Sequence, residues 1–289
     1  MPARHSIISV LAVTLAAATL AVPPASAQLK LPRVSPNATV SQTIGLTDLS
    51  VTYSRPGVKS RTIWGDLVPF DKPWRTGANE ATSFVTTGEI QFGGQKLPAG
   101  TYALLTIPGR DEWTVALNSE KDLWGAYEYK PEKDVLRVKV KPTAGEYEEW
   151  MRFSFDDLTN TSANLVLQWE KLKLAVPITV DVNTKVLADC RAAVAAMKPD
   201  DWRTPYRAAG FCLENQVAMD EGRKWLDKSL AIGQHYSNLS LLARFQIKDG
   251  KRQDAVASAQ KALAMVKAGK DTADTVPTER LLKEWMASK

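Results

Sequence analysis

The chain has 289 residues, is 44% hydrophobic and carries a formal net charge of +5, a length and composition that suit two buried cores. It has two histidines, His5 and His235, so Ser-His-Asp and Cys-His catalysis and His/Cys zinc centres lack their ligands. Neither a phosphate-cradling GxxxxGK[ST] loop nor a dinucleotide-binding GxGxxG turn occurs, and neither a cofactor nor a metal is expected.

Arg4 and His5 precede an uncharged apolar run from Ile7 to Val22, and Ala25-Ser26-Ala27 follows. This is the form of an export signal, residues 1–27, cleaved before Gln28. The run is shorter than the roughly 20 residues a membrane span needs, and no later stretch approaches one. The mature chain, residues 28–289, is therefore expected to be periplasmic or secreted, with no transmembrane span.

From Thr39 to Val182 the hydrophobic pattern has period two, which predicts strands with one face on a core. Met151, Phe153 and Phe155 alternate with polar residues, as do Leu136, Val138 and Val140, and Leu165, Leu167 and Trp169. From Leu172 to Val182 the even positions are apolar. Turn signals at Gly93-Gly94, Pro98-Ala99-Gly100, Pro108-Gly109, Pro142 and Asn160 separate the runs, and about nine strands in an all-β sandwich over residues 28–182 are predicted.

The long connection Tyr53–Thr82, YSRPGVKSRTIWGDLVPFDKPWRTGANEAT, interrupts this pattern. Loops above about 12–15 residues in a compact domain are usually functional or disordered, and this one is too rich in aromatics for disorder. Arg55, Lys59, Arg61 and Arg75 supply cations, Trp64 and Trp74 flat apolar faces, Asn79 and Glu80 acceptors. Two readings stand. In one, Arg55, Arg75 and Glu80 form an internal ion-pair network with the indoles as plugs. In the other, these eight residues line a ligand site and the indoles stack on what it holds. Glu80, Asp66 and Asp71 could serve carboxylate chemistry, but arginines nearby keep such groups ionised, against a general-acid role. Farther on, Trp124, Tyr127 and Tyr129 are spaced either as a sugar- or peptide-binding face or as half of a β core.

Past Val182 the period becomes helical. Tyr206-x2-Ala209-Gly210-x2-Leu213, with Gly222-x3-Leu226-x2-Ser229, repeats as Leu239-x2-Leu242-Ala243-x2-Gln246, with Ala255-x3-Ala259-x2-Ala262, at an offset of 33. That resembles the tetratricopeptide repeat, in which small residues let antiparallel helices approach. Helices near 184–197 and 278–288 are expected to cap residues 183–289. Cys190 and Cys212 fall about ten and twelve residues either side of a turn at Pro199-Asp200. They read as a disulfide, worth about 3 kcal/mol in an oxidising compartment, or as two buried thiols.

The segments SPNATVSQTIGLTDLSVTYSRPGVKSR, LVPFDKPWRTGANEAT, LPAGTYALLTIPGRDEWTVALN and LVLQWEKLKLAVPI resemble the domain-of-unknown-function family 2911 of exported bacterial proteins, over about Ser35 to Val182. The resemblance implies a β-rich domain often joined to tetratricopeptide-like helices, and no activity. Where that family commonly has Tyr-Gly-Lys before WRTGAN, this chain has Phe70-Asp71-Lys72-Pro73.

The expected fold is α+β in two domains, an all-β sandwich followed by a tetratricopeptide-like helical hairpin array. The cation surplus lies past residue 182, with 18 Lys/Arg against 13 Asp/Glu, and is spread along the chain. It suits an acidic partner or an anionic membrane surface better than nucleic acid. An exported, non-catalytic interaction protein is expected, docking a protein partner or the periplasmic face of a membrane complex through its helices. The alternative is a carboxylate-dependent enzyme or glycan-binding module acting on envelope polysaccharide.

Overall fold

The computed structural model describes residues 31–287, so the export signal expected over residues 1–27 lies outside them. Ten strands come first: β1 (Asn37–Ile44), β2 (Thr47–Ser54), β3 (Thr82–Thr86), β4 (Ile90–Phe92), β5 (Gln95–Leu97), β6 (Gly100–Ile107), β7 (Trp113–Asn118), β8 (Asp134–Val140), β9 (Thr143–Asp156) and β10 (Ser162–Thr179). They form a six-stranded sheet, β1-β2-β3-β6-β7-β8, and a four-stranded sheet, β5-β4-β10-β9, with every pairing antiparallel. The strands that flank Gly93-Gly94 have three residues each, too short to display an alternation. Hence ten strands stand where turn spacing predicts about nine.

Alternation places Leu49, Val51, Tyr53, Phe84, Leu104, Trp113 and Val115 of the larger sheet against Phe92, Met151, Phe153, Leu167, Trp169, Val176 and Ile178 of the smaller in one core. Two runs that read separately in the sequence are a single strand, β10. Leu165, Leu167 and Trp169 point inward at odd positions, whereas Leu174, Val176 and Ile178 do so at even ones. The switch occurs at Glu170, whose φ is +55° and which sits between two shifts in register against β9. The left-handed backbone at Glu170 reverses the alternation of the strand there, so both of its halves keep their apolar side chains on the core.

Six helices follow: α1 (Val182–Ala196), α2 (Arg203–Asn215), α3 (Met219–Ile232), α4 (Tyr236–Lys248), α5 (Arg252–Lys267) and α6 (Val276–Ala287). The protein is thus a two-domain α+β fold, antiparallel sheets and then helices. Helices α2 and α4 start at 203 and 236, and α3 and α5 at 219 and 252, the same offset of 33. The repeated small positions are where helices meet. Ala243, Ala255 and Ala259 form one buried cluster, and a Cβ on Gly222 would lie 2.6 Å from the Cβ of Cys212. Among the described residues no helix is long and apolar enough to cross a membrane.

The bridge expected between Cys190 and Cys212 is not formed in this structure. Both are free thiols in the apolar cluster that α1 and α2 share with Trp225 and Leu226. Burial pushes the Cys212 thiol up to about 11 and raises that of Cys190 too. His235 serves structure: its ring stacks on Trp202 at 4.0 Å, and its backbone N–H donates to Asn238 Oδ1 at the start of α4.

Candidate functional site

The connection between β2 and β3 leaves the first sheet and is tied at once to β9 of the second. Met151 N–H donates to Pro56 O at 3.0 Å and Val58 N–H to Glu149 O at 2.8 Å, and Gly57 forms a bridge with Trp150. The cations are used on this seam. Arg55 Nε donates to Met151 O at 2.8 Å, Arg61 folds back onto Gly57 O and Val58 O, and Lys59 Nζ lies 5.6 Å over the Trp150 ring. The Lys59 N–H donates to Glu149 Oε1 at 2.9 Å. The Glu149 carboxyl is held below its ordinary range by the Tyr147 hydroxyl and by that N–H.

Farther along, the connection enters the space between the sheets. Trp64 packs edge-on against Trp113 of β7 at 5.0 Å and Trp169 of β10 at 5.7 Å, and Trp74 stacks on Trp169 at 5.9 Å. Four indoles thus join the connection to both sheets. Trp74 Nε1 donates to Gly77 O, and Trp74 and Thr106 exchange backbone hydrogen bonds of 2.7 and 2.9 Å. The Phe70-Asp71-Lys72-Pro73 approach is anchored where Asp71 N–H donates to Pro108 O and Arg110 lies over Phe70.

The WRTGANEAT segment then makes a tight turn with two non-glycine residues in the left-handed region, Thr76 (φ +53°) and Asn79 (φ +59°). Such a conformation is unusual for a β-branched residue. Here Thr76 is fully buried, and its hydroxyl bonds to Trp74 O and Thr106 Oγ1 while its carbonyl accepts from Thr82 Oγ1 at 2.7 Å. Asn79 Nδ2 reaches Ser35 O and Ser54 Oγ. Arg75 is half-buried below the next loop: a Cβ on Gly125 would lie 3.2 Å from its Nη1, and its Nε has no hydrogen-bond partner among the described residues.

That loop, residues 119–133, crosses the outer face of the larger sheet. Leu123, Ala126 and Tyr129 pack on Ala81, Ala103 and Leu105, a second small core on the far side of the sheet from the main one. Its far end is pinned by polar groups. Tyr129 donates to Asp134 Oδ2 at 2.6 Å, Arg137 Nε donates to the same oxygen at 2.5 Å, and buried Asn118 donates to Asp134 Oδ1. Burial, and then the bond to Asp134, push the Tyr129 phenol up to about 12.

Between this loop and strands β1 to β3 lies a cleft of about 450 Å³. Its floor is the polar, outward half of the strands, Asn37, Thr52, Ser54, Ser83 and Thr101, and its wall is Lys121 to Trp124. Glu80 forms an antiparallel bridge with Trp124, and Ala81 N–H donates to Leu123 O at 3.0 Å, so the rim carries a carboxylate beside an indole. Trp124 and Tyr127 are 63% and 85% exposed, which answers the question their spacing left open: Tyr129 packs, and the other two face solvent.

The family described as Protein of unknown function (DUF2911) matches residues 35–178. The sandwich belongs to this family. No curated protein and no solved structure matches the chain. The matched region ends one residue before β10 does, so the DUF2911 domain comprises both sheets, the connection and the cleft.

The eight residues that the sequence groups as one site are separated in the DUF2911 domain. Arg55, Lys59 and Arg61 lie on the β9 seam, Trp64 and Trp74 in the core, Asn79 and Arg75 behind the cleft, and Glu80 in its wall. The ion-pair network expected of Arg55 takes another form, because its guanidinium donates to main-chain carbonyls of β9. Sequence reasoning missed the floor, Thr52, Ser83 and Thr101, and the wall residues Lys121 and Asp122. The available signal was the outward half of the strand alternation, which reads as ordinary solvated surface.

Proposed function

We propose that this protein is an exported, non-catalytic interaction protein whose sandwich presents a recognition cleft and whose basic helical array docks a protein partner of the cell envelope or the periplasmic face of a membrane complex. The observation that carries this reading is the use made of the connection: its guanidinium groups and indoles brace the fold, and the open polar surface left beside them is a cleft of ligand size. Ligand pockets span about 300–1,000 Å³, and about 450 Å³ falls inside that range. The helices support the second half of the proposal. Two hairpins at one offset form a short repeat array, an architecture whose binding surface is the row of first helices. The exposed Arg207 on α2 belongs to that row.

The test is capture from envelope extract by residues 28–289, compared with the Arg207→Glu variant at low and high salt. The expected result is a partner that salt weakens and that Arg207→Glu loses without a change in melting temperature. The same partner held equally by both forms would overturn docking through α2. A second reading, a carboxylate enzyme, draws on Glu80 and Asp122 standing in one cleft. Turnover of a glycan that Glu80→Gln abolishes would favour it.

A further inference from the structure

We infer that the cleft on the outer face of the larger sheet is a carbohydrate-binding site for a neutral, polyhydroxylated chain, with one sugar ring stacked on Trp124. This goes beyond docking through the helices and rests only on the reading of the sandwich as a recognition module.

Three features converge on that ligand class. The floor is a set of small hydroxyls on adjacent strands, with Thr52 of β2 directly opposite Ser83 of β3 and Thr101 of β6 one strand farther on. On β6 the residue opposite Ser83 is Ala103, and Thr101 lies two positions along, opposite Val85, so the three hydroxyls line the floor on a diagonal, each able both to donate and to accept. The hydroxyl of Thr52 shares one bond with Thr39 Oγ1 at 3.0 Å, which leaves it further capacity. Next, Asp122 provides an acceptor on the wall, suited to the paired hydroxyls of a sugar. Finally, the indole of Trp124 is 63% exposed, yet its backbone is held by the bridge to Glu80 and by Leu123, which packs beneath the loop. A flat apolar face beside hydrogen-bonding groups matches the C–H face and hydroxyl edge of a pyranose. Rigid aromatics of this kind supply contact area at little entropic cost.

Other ligand classes fit less well. Among the described lining residues there is one cation, Lys121, rather than the cluster of cations that holds a phosphate. Asn37, Thr52, Ser54, Ser83 and Thr101 make the floor polar, which suits hydroxyls better than a hydrophobic peptide side chain. A cationic ligand is best held by a cage of several aromatics, and among the described residues that line the cleft Trp124 is the one exposed aromatic.

The experiment is calorimetric titration of residues 28–289 with maltohexaose, cellohexaose and chitohexaose, and with trilysine and inorganic phosphate as comparators. Saturable binding of at least one hexasaccharide is expected. Trp124→Ala should weaken it roughly tenfold or more, Trp124→Phe should retain most of it, and Thr101→Val should weaken it without changing the melt. Lys59→Ala, on the β9 seam, should leave it intact. The proposal is overturned by no saturable binding of any hexasaccharide, by binding indifferent to Trp124→Ala, or by tighter binding of trilysine or phosphate. The Arg207→Glu comparison reads the helices and the Trp124 variants read the cleft, so either proposal can fail without the other.

Discussion

Trp64 reports most directly on how the connection holds the sandwich, because its ring touches an indole from each sheet, Trp113 and Trp169. Truncation of a packed tryptophan costs about 3–5 kcal/mol, and Trp64 is partly solvent-exposed, so Trp64→Ala should cost about 3 kcal/mol in urea denaturation, with Trp64→Phe recovering part of it. A loss below about 1 kcal/mol would mean that the sheets close without it. The importance of Trp64 and Arg55 was legible in the sequence, but their role was not. A guanidinium satisfies its donors equally well on a ligand, a carboxylate or a carbonyl. What Arg55 meets is Met151 O, contributed by a strand 96 residues away, and no local pattern encodes that meeting.

The loop over the outer face should respond to pH as its own element. A phenol raised from 10.0 to about 12 binds its proton more tightly in the folded protein. Its contribution is complete below pH 10 and is lost as pH rises toward about 12. Phenolate absorbance together with Trp124 emission should therefore show the loop releasing in that window, and Tyr129→Phe should remove the transition. In the helices, Gly222→Ala sets two effects against each other. Alanine favours a helix by about 1 kcal/mol, but its Cβ would meet the Cβ of Cys212 at 2.6 Å, and overpacking costs about 1–3 kcal/mol. The Cys212 Cβ cannot move without the α2 backbone that carries it, so the melting temperature should fall; a rise would show that α2 and α3 can separate freely. The repeat that contains Gly222 was visible because helix pairs impose a fixed offset on small residues. The reversal at Glu170 was visible only indirectly, as a change of parity between two hydrophobic runs. The register that explains it depends on β9.

For the molecule as a whole, the junction between sheets and helices turns on Gly45. Its φ is +58°, and a Cβ there would overlap the Val182 side chain at the start of α1. Gly45→Ala should cost about 1 kcal/mol or more from the left-handed backbone alone. By displacing α1 it should also hasten proteolytic cleavage near residues 180–182, measured against the wild-type chain. An unchanged cleavage rate would mean that the first turn of α1 is held by its cap, where the Asp181 carboxylate accepts from Thr184 N–H.

Period two, period 3.6, the turn residues and the offset of 33 determined the element types, their order and the two-domain α+β architecture, because each is a local consequence of which face of a strand or helix must avoid water. The family is legible by resemblance instead, from the segments around YSRP and WRTGAN. The tertiary structure alone decided which cations brace the β9 seam, which indoles are core and which face solvent, and that hydroxyls of β2, β3 and β6 share a floor beneath Trp124. Those arrangements depend on residues brought together from distant parts of the chain, and the energy of such a contact depends on both partners rather than on either stretch of sequence.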